Sequence, residues 1–379
     1  MALYNKHRPR NLGEVCGQDC VKTILASQID RNDLSNAYLF TGPAGVGKTT
    51  VARILAAMIN CSTGQTKDPP PDDPFVQSIL SGRSQMDILD MDAASKRGID
   101  DAKQIREVIS CPPIEMRKRI CIIDECHQLT PEAWAVLLKL LEEPPSYAVF
   151  ILCTTEVNRV PDTIQSRCQC HDFRPLGADA IASYLRSLAS KEGITIEEEG
   201  IKLIATSARG SLRDAVSKLE KARSLDGTAA AISGIVGVPS RKTVREFVGC
   251  VVTGDWPGAL ARSASCLGVG VPAAEFLRET AVFCADLLMC ESKGFDFERN
   301  AGYSAEDAGK MPKIRDHLCS FVGKARYKGL VRAWIRSLDE EYKASVFNLN
   351  PQCQVNVAFS DMLDIFNKFK TPAAVPKAP

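Results

Sequence analysis

Gly42-Pro43-Ala44-Gly45-Val46-Gly47-Lys48-Thr49 has the spelling G-x-x-x-x-G-K-T, preceded by the apolar run Ala37-Tyr38-Leu39-Phe40 and followed by helical spacing from Thr49 to Ile59. Each position answers a physical demand. Glycines let backbone N–H groups curl around phosphate oxygens with no Cβ in the way. The helix that follows turns its positive N-terminal end toward the same anion. Lys48 adds a full charge for the outer phosphates, the Thr49 hydroxyl offers an oxygen to Mg2+, and Thr50 completes the nucleotide-binding stretch. A strand, a glycine-rich loop and a helix in this order make a nucleoside triphosphate site, a context that a chance glycine-rich turn lacks.

Outward from this stretch, apolar runs alternate with helical patterns over residues 36–175. Strands are expected at Ala37–Phe40, Met86–Asp90, Arg119–Asp124 and Ala148–Thr154, with a fifth at Cys168–Phe173. Helices are expected from about Asp100 to Ser110 and from Pro131 to Glu143. The alternation predicts an α/β fold with a mainly parallel sheet covered on both faces. Residues 62–85, with Pro69-Pro70-Pro71-Asp72-Asp73-Pro74, interrupt it and read as a surface excursion. After Pro175 the pattern is helical, at 177–192, 197–208 and 211–224, and helical again beyond 240. This divides the chain into an α/β domain over 1–175, a small helical domain over 176–238, a second helical domain over 239–370 and a Pro/Ala tail, expected to be disordered, over 371–379.

A nucleotide site needs an acid for its metal and a group to activate water. Ile120-Cys121-Ile122-Ile123-Asp124-Glu125 is a buried strand that delivers two carboxylates at its C-terminal end, beside the phosphate loop in a doubly wound sheet. Asp124 is expected to hold Mg2+ and Glu125 to orient and deprotonate the attacking water. Alone, two acids capping a strand would be ordinary; beside the loop they predict a Mg-dependent nucleoside triphosphatase.

Composition removes other classes. With 45% apolar and 25% charged residues the 379-residue chain is neither disordered nor collagen-like. Its 47 basic and 46 acidic residues nearly cancel, so any nucleic-acid contact must use a local patch. No run approaches the roughly 18 apolar residues of a membrane span, and Met1 to Arg10 lack the apolar stretch of a signal peptide. A cytoplasmic location without a membrane partner is expected. Fifteen cysteines, an odd number, read as reduced thiols, several in apolar runs.

Further motifs carry a resemblance. Tyr4-Asn5-Lys6-His7-Arg8-Pro9 with Val15-Cys16-Gly17-Gln18, then Asp92-Ala93-Ala94-Ser95, Asp124-Glu125-Cys126-His127 and Leu137-Leu138-Lys139-Leu140-Leu141-Glu142-Glu143-Pro144-Pro145 resemble the clamp-loader branch of the AAA+ ATPases. So do Ser166-Arg167-Cys168 and Gly210-Ser211-Leu212-Arg213-Asp214-Ala215. The likeness is greatest to the gamma/tau subunits of DNA polymerase III, bacterial or phage, and more distant to replication factor C. It is strong over residues 3–225 and weak beyond about 240.

The resemblance implies an AAA+ core, a helical lid and a helical collar that joins subunits. It implies ATP and Mg2+ as cofactors, with Tyr4, Arg8, Pro9 and Val15 lining the adenine side. Thr155 would sense the γ-phosphate, Arg213 would touch phosphate in its own site, and Arg167 would reach into a neighbour's. A guanidinium suits that last task because it stays charged and forks onto phosphate oxygens. Implied partners are a sliding clamp, primer-template DNA and other loader subunits in a pentamer. Ser95-Lys96-Arg97, before a helix starting near Ile99, is a candidate grip on DNA phosphates; the alternative is a solvated loop.

The chain departs from the family in one respect. Cys61 would be the first ligand of a four-cysteine zinc module, yet the next cysteine is Cys111, so structural zinc is not expected. Two rival functions share many of these features. Another AAA+ DNA-remodelling motor would share the loop and sensors but has no need of S-R-C with the opening segment. A nucleotide-binding scaffold with little turnover would tend to lose Lys48 or Glu125.

Overall fold

The computed structural model describes residues 2–82, 86–290, 305–344 and 350–369. Five strands, β1 (Ala37–Thr41), β2 (Ile88–Asp92), β3 (Arg119–Asp124), β4 (Ala148–Thr154) and β5 (Gln169–Asp172), form one sheet in the order β2-β3-β4-β1-β5. Every pairing is parallel, with Leu39 opposite Leu152 and Ile122 opposite Ile151. β-branched and aromatic residues fill β1, β3 and β4 because both faces of a parallel sheet are buried.

Successive side chains point to opposite faces, and the two faces feed two cores. Tyr38, Phe40, Ile120, Ile122, Val149 and Ile151 pack on one face with Leu25, Val51, Ile54 and Leu55. Those helical residues belong to α2 (Asp19–Arg31) and α3 (Lys48–Ile59), which follow the short α1 (Leu3–Lys6). Leu39, Cys121, Ile123, Phe150 and Leu152 pack on the other face with Ile105, Ile109, Ala133 and Leu137. These come from α5 (Ile99–Ser110) and α6 (Pro131–Glu142), and α7 (Asp162–Gln165) precedes β5.

Two expectations need correction. β2 starts at Ile88 rather than Met86. The reason is Asp87, whose buried carboxylate leaves the strand pattern to accept N–H bonds from Ile114, Glu115 and Met116 and an ion pair from Arg119 at 2.8 Å. The surface excursion at 62–85 in fact contains α4 (Pro74–Ser81), and its Val76 and Ile79 are buried in the first core. Asp73, 6% exposed, caps α4 by accepting from the Phe75 and Val76 N–H groups, with Pro74 at the first helical position. The other Asp73 oxygen accepts from the N–H and hydroxyl of Ser62 and from Cys61 Sγ.

The chain divides into two compact units, one of Met1–Ile181 with Ala208–Ser217, the other of Ala182–Ser207 with Lys218–Pro379. The second is helical throughout its described residues. After α8 (Ala178–Glu192), α9 (Glu198–Ser207) and α10 (Leu212–Ala222) come α11 (Ala229–Val236), α12 (Arg241–Thr253), α13 (Trp256–Gly268) and α14 (Ala273–Met289). α15 (Ala305–Val322), α16 (Lys324–Ala344) and α17 (Pro351–Phe369) complete it. Phe247, Phe276, Trp334, Phe359 and Phe366 form its aromatic core. The two buried polar tips there are satisfied: Trp334 Nε1 donates to Met362 O at 2.7 Å and Tyr327 Oη to Leu287 O at 2.6 Å.

No helix of the described residues is long and apolar enough to cross a membrane. The tail at 371–379 lies outside the described residues.

Candidate active site

The C-terminal ends of β1, β3 and β4 carry the polar groups of the site, as expected for a crevice at the carboxyl edge of a parallel sheet. The phosphate loop leaves β1 at Gly42 and enters α3 at Lys48. Gly42 has φ 136°, and a Cβ there would collide with the Phe173 carbonyl. Gly45 has φ 76°, and a Cβ there would collide with Ser211 Oγ. Pro43, Ala44 and Gly47 complete the turn, and Val46 is buried beneath it.

Lys48 Nζ donates to the carbonyls of Gly42 and Pro43 at 2.7 and 2.8 Å, holding the loop closed on itself. Burial pulls the Lys48 ammonium below its usual pKa, and the carboxylates of Glu125 and Asp124 pull the other way. Thr49 Oγ1 donates to Asp124 Oδ2 at 2.7 Å. A hydroxyl and a carboxylate oxygen side by side are the few protein ligands Mg2+ takes when phosphates and water complete its shell. Thr49 and Asp124 therefore fit that ion. The Thr50 hydroxyl faces elsewhere and accepts from Arg8 Nε at 3.2 Å.

Glu125 sits just past β3 in left-handed backbone, φ 48°, uncommon for a residue with a side chain. Its Oε2 accepts the Thr155 hydroxyl at 2.9 Å. Thr155 is thus the β4-end threonine that reaches the site. Thr154, fully buried, instead accepts the Glu156 N–H at 3.0 Å and lies 3.1 Å from His127 Nδ1.

The stretch from Gly210 to Asp214 docks on the loop from the other side. The N–H groups of Leu212 and Arg213 both donate to the Gly45 carbonyl, at 3.1 and 3.4 Å. Arg213 donates to Tyr4 Oη at 3.0 Å and lies over the Tyr4 ring, 4.9 Å from its centroid. Tyr4, Arg8, Lys48, Thr49 and Arg213 are thereby linked to the phosphate loop and the start of α3, and Pro9, half-buried, follows Arg8 in the chain. Burial, then repulsion from Arg53, lowers the Arg8 pKa. Val15 packs into the core, and its carbonyl accepts from Lys22.

Arg167 is not brought to this cluster. It donates to the Thr163 carbonyl at 2.7 Å and pairs with Glu142 at 2.9 Å, half exposed. Ser95, Lys96 and Arg97 form an exposed turn after β2, fastened by N–H bonds from Ser95 and Lys96 to the Asp92 carbonyl. The helix beyond opens with two acids: Gly98 N–H donates to Asp101 Oδ2 at 3.1 Å, and Asp100 and Asp101 occupy the first turn, where their charge offsets its positive end.

Three participants escaped the sequence reading. His127 was legible as the last letter of D-E-C-H, but its place beside Glu125 was not. Glu142, within the Leu137–Pro145 motif, gave no sign that it would hold Arg167. The contact of Tyr4 with Arg213 joins residues 209 positions apart. Where a zinc ligand was considered, Cys61 instead contacts Thr63 and Asp73.

With the geometry in place, comparison with known proteins is informative. The family model described as DNA polymerase III, delta subunit matches residues 17–177, and that described as DNA polymerase III clamp loader subunit, ATPase lid domain, matches residues 180–222. The DNA polymerase III subunit gamma/tau of Mycoplasma genitalium is 38% identical over 67% of this chain and 43% of its own length. That of Mycobacterium bovis is 31% identical over 88% of this chain and 58% of its own length. The gamma subunit of Buchnera aphidicola is 36% identical over 59% of this chain and 62% of its own length. The chain thus spans less than two thirds of the length of each of these relatives. Among solved structures, the Thermotoga maritima RuvB branch migration motor aligns with a TM-score of 0.46 at 19% identity, over 72% of this chain and 91% of that one, a likeness too slight to carry weight. By its parallel core, its phosphate loop and its two matched regions, the chain is similar to the clamp-loader subunits of DNA polymerase III named gamma/tau.

Proposed function

We propose that the chain is an ATP-hydrolysing subunit of a sliding-clamp loader, which opens the clamp ring and places it on primer-template DNA in the cytoplasm. The observation that carries this is the convergence of Lys48, Thr49, Asp124, Glu125, Thr155 and Arg213 around one phosphate loop, in a chain whose two matched regions are of DNA polymerase III type.

The loop N–H groups and Lys48 would bind the phosphates, Lys48 giving up its two carbonyl partners for phosphate oxygen. Thr49 and Asp124 would hold Mg2+, which when bound offsets phosphate charge. Glu125 would orient the attacking water and take its proton. Thr155 would report the γ-phosphate, and Arg213 would leave Tyr4 to reach it. Arg167, held on the surface, would complete the site of a neighbouring subunit, so that ATP stabilises the assembly, a pentamer in this reading. Ser95, Lys96 and Arg97 would follow the DNA backbone and read its shape, not its sequence. Loss of the γ-phosphate then removes the contacts to Arg167 and Arg213, and the assembly releases.

The test is ATP turnover by the chain with its clamp and companion subunits, compared on primed junctions, plain single strands and no DNA. Turnover that prefers the junction and rises with clamp is expected. Turnover indifferent to both would assign the chain to another DNA motor, and nucleotide binding without turnover to a scaffold role.

A further inference from the structure

We infer that His127 is a positioning residue for the Glu125 carboxylate, an inference that rests on the ATPase reading. His127 lies in the single turn Cys126–Gln128 that follows β3 and is 7% exposed. Its ring stands between two carboxylates. Nδ1 is 3.4 Å from Glu125 Oε2, and Nε2 is 3.3 Å from Glu156 Oε1. Nδ1 is also 3.1 Å from Thr154 Oγ1. That buried hydroxyl is itself held by the Glu156 N–H at 3.0 Å, so Nδ1 is aligned by a fixed group.

The same Glu125 oxygen therefore has two side-chain neighbours, the Thr155 hydroxyl and the His127 ring. A long glutamate loses side-chain entropy when held in one rotamer, and its left-handed backbone adds strain. A general base has to aim at one water, and small misplacement is costly in rate. Two lateral contacts on one oxygen keep the other oxygen aimed.

A buried histidine that merely filled space would satisfy its nitrogens on nearby carbonyls. Here both face side-chain oxygens, one of them on the candidate base. Removing the ring leaves Thr154 with its Glu156 partner but takes from Glu125 one of its two supports.

The experiment compares His127→Ala, His127→Asn and His127→Gln in the full chain with its clamp and companion subunits, reading kcat, KM and ATP affinity. An Asn amide occupies the place of Nδ1, and a Gln amide that of Nε2. His127→Ala is expected to lower kcat about 10- to 100-fold with KM and ATP affinity within about twofold. His127→Asn should recover most of the lost kcat, and His127→Gln should not, although each removes the ring from the same buried position. In a Glu125→Gln background, His127→Ala should lower residual turnover no further. An undiminished kcat in His127→Ala, or equal rescue by Asn and Gln, would overturn the inference while leaving the ATPase reading intact. A wild-type assembly with no turnover would overturn both.

Discussion

Arg213 in this structure is held by a phenol. Its guanidinium lies 4.9 Å from the Tyr4 ring centroid and bonds the hydroxyl at 3.0 Å, so in the role proposed for it Arg213 would exchange Tyr4 for phosphate. A charged hydrogen bond at a surface is worth about 1 kcal/mol, and the cation over the ring about as much. Tyr4→Phe keeps the ring and removes the hydroxyl. ATP affinity should then tighten about fivefold, read by calorimetric titration, since about 1 kcal/mol less is given up on binding. Weaker binding would show instead that the hydroxyl touches nucleotide. Both residues stand in motifs visible in the sequence, but their contact does not. Spelling reveals which side chains a site owns, whereas partnerships such as those of Arg213 with Tyr4 or His127 with Glu125 depend on how distant strands and loops are stacked.

Elements were legible where one force dominated. The continuous apolar runs at residues 120–123 and 148–153 mark the interiors of β3 and β4, because a strand buried on both faces tolerates little else there. α4 was missed because residues 62–85 are polar on average, while the signal lay in two local facts: Asp73-Pro74 as cap and first helical residue, and the spacing of Val76 and Ile79. Asp73 joins that helix to the end of α3. Asp73→Ala should destabilise the protein by about 2–4 kcal/mol, through a lost cap and unsatisfied N–H groups at Ser62, Phe75 and Val76. The pH dependence has a definite sign. Burial works to raise the Asp73 pKa, but hydrogen bonds from Ser62, Val76 and Cys61 outweigh it and hold it below the ordinary value. A folded value below the unfolded one means the stabilisation is complete above pH about 4 and is lost as pH falls through the folded value. Denaturant melts at pH 7 and pH 3 should show the Asp73→Ala deficit shrinking in acid.

At the scale of the whole molecule, the Arg167 side chain pairs, among the described residues, with Glu142 and the Thr163 carbonyl and not with the phosphate loop. A residue that completes a neighbour's site makes a testable demand on mixtures. Glu125→Gln and Arg167→Ala assemblies should each be nearly inactive. Mixed in equal parts, they should regain roughly a quarter of wild-type turnover, since random pairing sets an intact Glu125 beside an intact Arg167 at that frequency. No recovery in the mixture would place both residues in one chain's site.

Gly45 ties the phosphate loop to the start of α10. One carbonyl on the phosphate loop accepts the N–H groups of both Leu212 and Arg213, and the missing side chain is what lets Ser211 lie against it. The residue that curls around phosphate is thus also the one on which the start of α10 is seated. A methyl group there would strain the loop at φ 76° and wedge that seat open at the same time. Grip and response would fail together, because one residue serves both.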